Sequence, residues 1–204
     1  LIDAMEQYPN PKALLIVSKP PAKEIRERIS ERLQRCGKPV VALFLGEKPV
    51  CQDKNFYQAY TLNEAAHVAV SLLRKEAVQK SYESPEERKM LESLERFKPE
   101  EKKSIKAYYS GGTLANEAAM LIKDALDIDL PPEDVEGYML QLGGNVVIDL
   151  GDDAYTKGKP HPMIDPAKRI ECMEKAMDDP TTGVILFDVM LGYGSHPDMA
   201  GALL

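Results

Sequence analysis

Four short, largely apolar runs without an alternating polar pattern constrain the fold of this chain more than any other feature. They are Ala13–Val17, Val40–Leu45, Val146–Leu150 and Val184–Val189. A strand with one wet face alternates apolar and polar residues, whereas a strand buried on both faces of a parallel sheet reads as a continuous apolar run. The runs therefore predict parallel strands in an α/β fold.

Helical patterns lie between these runs. Within Ala22–Arg35, Ile25, Ile29 and Leu33 recur at intervals of four, which predicts a charged helix with one apolar stripe that ends near Gly37. Strand, helix and strand in this order form a βαβ unit.

The same order of elements returns near the C-terminus. Asp165 and Pro166 fit the N-cap and first turn of a helix that precedes the run Val184–Val189. Two more helix starts, at Thr61 and Ser84, have the spacing of a capping box. Two shorter strands are predicted, at Gln58–Tyr60 and Ile105–Tyr109.

A charged stretch divides the chain. Tyr82–Lys103 is dense in Glu and Lys, which predicts a solvated linker helix and places a boundary near residues 75–104. Two or three strands are predicted before this boundary and three after it. A doubly wound sheet usually has about five strands, so neither part is a complete domain and we expect the sequence to be a piece of a longer protein.

Charge and composition exclude several classes of function. The 204 residues have a formal net charge of -7, 6% aromatic residues and no Trp, which argues against a nucleic-acid surface because such a surface needs a basic patch. No apolar run approaches the roughly 20 residues of a membrane span, so no membrane partner is expected. Cys36, Cys51 and Cys172 lack CxxC spacing, which favours reduced thiols in a cytoplasmic protein.

Three loops follow predicted strands of the second part, at the sheet edge where ligands bind in open parallel sheets. In the first loop, Gly111 and Gly112 let the backbone approach a ligand, and Thr113 is placed to cap the following helix. Free amide groups at a helix start attract anions, so Gly111, Gly112 and Thr113 are predicted to bind one. A tight strand-to-helix turn explains the same residues equally well.

The second loop, Asp149–Pro166, is longer than a strand-to-helix connection requires. His161 stands between two prolines that restrict its backbone, and we predict that it is catalytic. No third hard ligand at a fixed spacing supports a metal here, so none is predicted. The other candidates of this loop are Asp152 and Asp153 as catalytic carboxylates, which solvation of the loop explains as well, and Lys157 and Lys159 as anion-binding cations.

The third loop, Leu191–Asp198, contains Gly192, Gly194 and Ser195. Ser195 stands three residues before Asp198, a spacing that predicts a helix start capped by Ser195 and able to hold an anion. Because the three loops leave one edge of one sheet, we predict that they converge on a site for a small anionic substrate.

The segments that contain these loops also resemble a known family. Tyr109–Ala119, Ile148–Pro166 and Asp188–Asp198 resemble FdrA-type proteins of the acyl-CoA synthetase (NDP-forming), or succinyl-CoA synthetase-like, superfamily. The resemblance implies flavodoxin-like parallel α/β ligase domains, present here as two partial copies. It implies a C-terminal half of a first domain in residues 1–80, a linker in 81–104 and the N-terminal part of a second domain in 105–204.

The resemblance also implies a function. FdrA-type proteins are associated with oxamate carbamoyltransferase in anaerobic allantoin and ureide breakdown, so we expect a component of such an enzyme that works as a homo-oligomer or with other subunits. CoA or a nucleotide is implied only for the full-length protein, and neither is evident in this sequence.

One departure from the superfamily concerns its phosphoryl relay. Relay enzymes carry a phosphorylated histidine after the strand that Val40–Leu45 resembles, but Gly46–Phe56 contains no histidine, and no other side chain there replaces one. Two alternatives stay open: an ADP-forming acyl-CoA synthetase whose histidine is supplied elsewhere, and a non-catalytic scaffold that binds an anion.

Overall fold

The computed structural model describes residues 1–50, 55–79, 83–94, 96, 101, 103–128 and 136–204. The chain divides into two compact units, Leu1–Arg96 and Phe97–Leu204. The first unit combines helices with a parallel sheet and the second with a mostly parallel one, which confirms the predicted α/β class. Cys51 lies outside the described residues, as do residues 81, 82, 95, 97–100 and 102 of the predicted linker. Within the described ranges, no helix is both long and apolar enough to cross a membrane.

The elements of the first unit are α1 Ile2–Gln7, β1 Leu14–Ser18, α2 Lys23–Gln34, β2 Val40–Phe44, β3 Phe56–Ala59, α3 Leu62–Arg74 and α4 Pro85–Leu94. Its three strands form a parallel sheet in the order β1-β2-β3. All five residues of the central strand, β2, are buried, as its continuous apolar run predicts. Apolar residues of α1 and α2 pack on one face of the sheet, and those of α3 pack on the other.

Both predicted helix starts are confirmed. At α3 the Thr61 hydroxyl accepts the Glu64 amide (3.1 Å), whereas the Glu64 carboxylate accepts the amide of Tyr60 (2.7 Å), one residue before the N-cap amide that a complete capping box uses. At the start of α4, Ser84 and Glu87 each accept the other's backbone amide (3.1 and 2.7 Å). These side chains satisfy amide groups that have no partner within their helices, so they fix where α3 and α4 begin.

The elements of the second unit are β4 Ser104–Tyr109, α5 Gly112–Ala125, β5 Tyr138–Leu142, β6 Asn145–Asp149, α6 Asp153–Thr156, α7 Ala167–Asp178, β7 Thr182–Phe187 and α8 Met199–Leu203. Its strands form a four-stranded sheet in the order β5-β6-β4-β7. The central strand β4 is parallel to β6 and β7, whereas β5 is antiparallel to β6.

The prediction of three strands in the second unit is wrong because β5 was missed. β5 and β6 form a hairpin across Gly143 and Gly144, whose φ angles are 57° and 86°. Positive φ at both central residues is the geometry of a two-residue hairpin turn, and glycine adopts it without steric cost. The Gly-Gly pair between two apolar segments was the signal for this hairpin.

Alternation along β4 and β6 separates the two faces of this sheet. Ala107 and Val147 pack against α5, whereas their neighbours Tyr108 and Ile148 pack against α7 and α8. Successive side chains of a strand point to opposite faces, so α5 lies on one face and α7 and α8 on the other.

Candidate functional site

The carboxyl ends of three parallel strands meet at one edge of the second sheet. Tyr109 at the end of β4 pairs with Asp149 at the end of β6, and Tyr108 pairs with Phe187 at the end of β7. The three loops considered above therefore leave the same edge, which is the usual place for a ligand in a parallel α/β sheet.

A buried polar network ties the first loop to the third. The Ser110 amide donates to Asp188 Oδ1 (2.8 Å), and the Ser110 hydroxyl donates to Asp188 Oδ2 (2.7 Å). Arg169 of α7 donates to the same carboxylate, with Nη2 3.0 Å from Oδ1, and to the Asp188 carbonyl oxygen. All three residues are buried, so the turn between β4 and α5 is held by an ion pair shielded from solvent.

Arg169 is the largest fully buried side chain of the described residues. Burial lowers its pKa, while the charge of Asp188 opposes that shift. Its Nε and Nη1 atoms have no hydrogen-bond partner within the described part of the chain. The carboxylate of Asp188 is therefore its charge partner, and the guanidinium in turn fixes where that carboxylate lies.

The turn held by this network leads directly into α5. The N-cap of α5 is Gly111, which has no side chain to cap the helix, and the first turn contains no acidic residue. Amide groups of a first helical turn have no partner within the helix and attract anions. The prediction that Thr113 caps this helix is wrong. The helix begins at Gly112, two residues earlier than capping by Thr113 would require, so Thr113 is its exposed second residue.

Gly151 is the point of closest approach between the first two loops. A Cβ atom on Gly151 would lie 2.6 Å from the Ser110 carbonyl oxygen, 2.9 Å from His161 Nε2 and 3.1 Å from Asp149 Oδ1. The Gly151 amide donates to the same Asp149 oxygen (2.9 Å). The absence of a side chain at Gly151 thus lets the imidazole approach the turn that precedes α5.

His161 is partly buried, and its ring has a defined hydrogen bond. Nδ1 accepts the Met163 amide (3.3 Å), so the neutral ring carries its proton on Nε2, the atom that faces Gly151. The His161 carbonyl oxygen accepts the amides of Ile164 and Asp165 (2.8 and 3.1 Å). These bonds and the flanking prolines fix the backbone of His161 and present Nε2–H as a donor.

The other candidates of the second loop have different surroundings. The Asp152 carboxylate accepts the Ala154 amide (3.0 Å) and caps α6, so it has a structural task. Asp153 is the exposed first residue of that short helix, and Lys157 and Lys159 are exposed as well. Among the residues that the structure describes, no group of three or more His, Cys, Asp or Glu side chains is placed to hold a metal ion.

The third loop is joined to the second by a backbone hydrogen bond, and Ser195 does not cap the helix that follows it. The Ser195 hydroxyl donates to the Gly192 carbonyl oxygen (2.7 Å), and α8 is capped by Asp198, which accepts the Gly201 amide (2.9 Å). The predicted cap at Ser195 is therefore wrong, because the chain makes a turn before the helix begins. Gly192 and Gly194 lie in this exposed turn with φ of 130° and 85°, and the His196 amide donates to the Met163 carbonyl oxygen (2.8 Å).

The structure thus brings His161 and Ser110, the residue before Gly111 and Gly112, together at Gly151. Lys157, Gly192 and Gly194 are exposed in their loops. Sequence reasoning missed the network of Ser110, Arg169 and Asp188. The sequence contained one sign of it. Asp188 is a carboxylate near the end of the apolar run Val184–Val189, and a carboxylate at the end of a buried strand needs a partner.

Gly151→Ala tests the close approach of the loops. The added methyl group would contact a backbone oxygen that cannot move aside without shifting β4, so we expect a loss of about 1–3 kcal/mol in the free energy of unfolding. Urea unfolding measures the loss, and Gly151→Val should cost more than Gly151→Ala. An alanine variant as stable as the unmodified chain would contradict the described packing.

Comparisons with known proteins agree with this architecture. Residues 108–204, which contain all three loops, match the family model described as CoA-ligase. The chain is also 32% identical over 211 residues to a protein of Escherichia coli (strain K12) named "Uncharacterized protein YahF". That match covers 100% of this chain, whereas the chain spans 40% of the relative's length.

Proposed function

We propose that this chain, whose residues 108–204 match the CoA-ligase family model, holds a small phosphorylated acyl group for transfer. The observation that carries the proposal is the first turn of α5, which lacks a side-chain cap and is held from behind by the buried pair of Asp188 and Arg169. A fixed set of free amides suits a phosphate group, because it needs no reorganisation when the anion binds.

The finer form of the proposal is carbamoyl transfer, as the FdrA-type resemblance implies. In that reaction a phosphate oxygen attacks the carbamoyl carbon of oxalurate, the bond from that carbon to the oxamate nitrogen breaks, and the nitrogen takes up a proton. Carbamoyl phosphate and oxamate result. Such a transfer depends on positioning and on stabilisation of developing charge more than on a covalent protein intermediate.

Two residues have roles in this proposal. The amides that begin at Gly112 bind the phosphate, and His161 donates from Nε2 either to the carbonyl oxygen or to the departing nitrogen. The hydrogen bond from the Met163 amide to Nδ1 supports this role, because it holds the proton of the neutral ring on Nε2.

An acyl-CoA synthetase is the second candidate, and the match to the CoA-ligase family favours it. It shares the acyl phosphate with carbamoyl transfer, but its phosphoryl relay requires a histidine that Gly46–Phe56 does not supply. Incubation of the full-length protein with labelled ATP separates the two: a phosphohistidine supports the synthetase, whereas carbamoyl phosphate formed from oxalurate and phosphate without ATP supports the transferase.

Leu114→Glu tests the anion site itself. Leu114 is the third residue of α5 and 42% exposed, so a glutamate there leaves the fold intact while its charge competes for the amides. We expect phosphate or carbamoyl phosphate, followed by chemical shifts of the Gly111 and Gly112 amides, to bind about fivefold more weakly.

The matched control is Leu121→Glu, which adds the same charge to the same helix two turns further on. Leu121 is 45% exposed, and the helix-end effect is confined to the first turn. Equal weakening by both variants, or by neither, would show that phosphate does not bind at the start of α5.

A further inference from the structure

A cavity lies on the face of the second unit's sheet that is opposite to α5. It has a volume of about 280 Å³ and lies between the second loop and α7, with Leu150 at its base. Leu150 belongs to the core that packs against α7, so the cavity is on the face opposite to α5. The first turn of α5 and this cavity are therefore two separate places on the unit.

One part of the cavity lining is apolar. Tyr155, Pro160, Pro162 and Ala167 line it together with Leu150. Burial raises the pKa of Tyr155 to about 12, so its hydroxyl group stays uncharged at physiological pH. A cavity of this size is slightly smaller than the roughly 300–1,000 Å³ of sites for drug-sized ligands, which suits a short organic molecule.

Four charged side chains surround this apolar lining, and three of them already have partners. Glu171 accepts hydrogen bonds from Lys168 (3.0 Å) and from Lys175 outside the cavity (2.6 Å). The Asp165 carboxylate accepts the Ala167 amide (3.0 Å) at the start of α7. The fourth, Lys159, forms no hydrogen bond or ion pair through its ammonium group within the described ranges of the chain.

We propose that this cavity binds a small organic acid, with its carboxylate at Lys159 and its apolar body against Tyr155, Pro160 and Pro162. The start of α7 is a less favourable place for the carboxylate than Lys159. Asp165 already accepts the first amide of α7, and its negative charge repels a second carboxylate there. Identification of this acid as the acyl substrate rests on the proposed function, whereas the binding site itself does not.

The proposal predicts selectivity for charge that depends on one lysine. Butyrate and its uncharged analogue butyramide are titrated into the protein, and binding is followed by the amide chemical shifts of residues that line the cavity. We expect butyrate to bind more tightly than butyramide, and Lys159→Ala to weaken butyrate about fivefold while leaving butyramide unchanged.

The same loop offers a matched control. Lys157 is exposed like Lys159 but does not line the cavity, so Lys157→Ala should leave butyrate binding unchanged. Ala167→Phe fills the cavity from an exposed position and should abolish binding of both compounds. Absence of saturable butyrate binding to the unmodified protein, or equal effects of the two lysine variants, would overturn the proposal.

The outcomes separate this inference from the proposed function. Lys159→Ala should not change phosphate binding at α5, and Leu114→Glu should not change butyrate binding in the cavity. If phosphate fails to bind at α5 while butyrate shows the expected dependence on Lys159, the proposed function fails and the carboxylate site stands. If phosphate binds at α5 but butyrate shows no dependence on Lys159, the carboxylate site fails and the proposed function stands.

Discussion

Replacing Asp188 with alanine is expected to lower the free energy of unfolding of the second unit by about 3–5 kcal/mol. The side chains of Asp188 and Arg169 are 6% and 0% exposed, so the variant leaves a positive charge buried without a counter-charge. Ser110 loses two hydrogen-bond acceptors at the same time. Urea unfolding, with hydrogen exchange of the α7 and β7 amides to identify the unit, measures the change.

Two further variants separate charge from hydrogen bonding at this position. Asp188→Asn keeps an oxygen for the Ser110 amide but removes the negative charge, so we expect an intermediate loss. Adding Arg169→Met to Asp188→Asn should restore part of the stability, because the buried charge without a partner is then gone. If Asp188→Ala unfolds at the same urea concentration as the unmodified chain, the network does not stabilise the turn.

The parallel strands could be predicted from the sequence because their apolar residues follow one another instead of alternating with polar ones. Four such runs became β1, β2, β6 and β7, with bounds that differ from the predicted ones by at most two residues. Burial on both faces holds throughout for β2 alone among these four, since β1 and β7 include exposed residues. The helix starts at Thr61 and Ser84 were equally readable, since each depends on two side chains three residues apart. Local chemistry decides such elements, and the sequence displays it directly.

The predicted caps at Thr113 and Ser195 failed for a different reason. Where a helix begins depends on how the preceding strand ends and on what holds the turn, and here Ser110 is anchored by a residue from a distant strand. Ser195 instead bonds to the Gly192 carbonyl oxygen, and Asp198 caps α8. A hydroxyl near a helix start is a candidate cap, but the backbone path chooses among the candidates.

The sequence predicted that the three loops leave one edge of the sheet, but it did not predict the polar contacts found there. The topology of parallel strands places the three loops at one edge, which the order of strands and helices already indicates. The pairing of Arg169 with Asp188 was not predictable, because it needs the orientation of α7 on the sheet to bring the guanidinium beneath the end of β7. The contact of His161 with Gly151 likewise appears only when two parts of one loop fold together.

On the proposed function, replacing His161 with alanine should lower turnover by the full-length protein by about 10²–10⁴-fold. The variant removes the donor at Nε2 while the amides of α5 remain, so phosphate binding should change little. Carbamoyl phosphate formation from oxalurate and phosphate measures the turnover, and phosphate titration measures the binding. A rate loss that merely follows weaker binding would indicate a role in positioning alone.

His196 provides the control for this experiment. It also precedes a proline, and its Nδ1 also accepts the amide two residues ahead, that of Asp198 (3.1 Å), so its local geometry matches that of His161. However, no contact places its ring beside Gly151, whereas His161 Nε2 lies next to that residue. We therefore expect His196→Ala to retain activity within a few-fold. Should His161→Ala retain as much, proton donation at this edge of the sheet must come from another group.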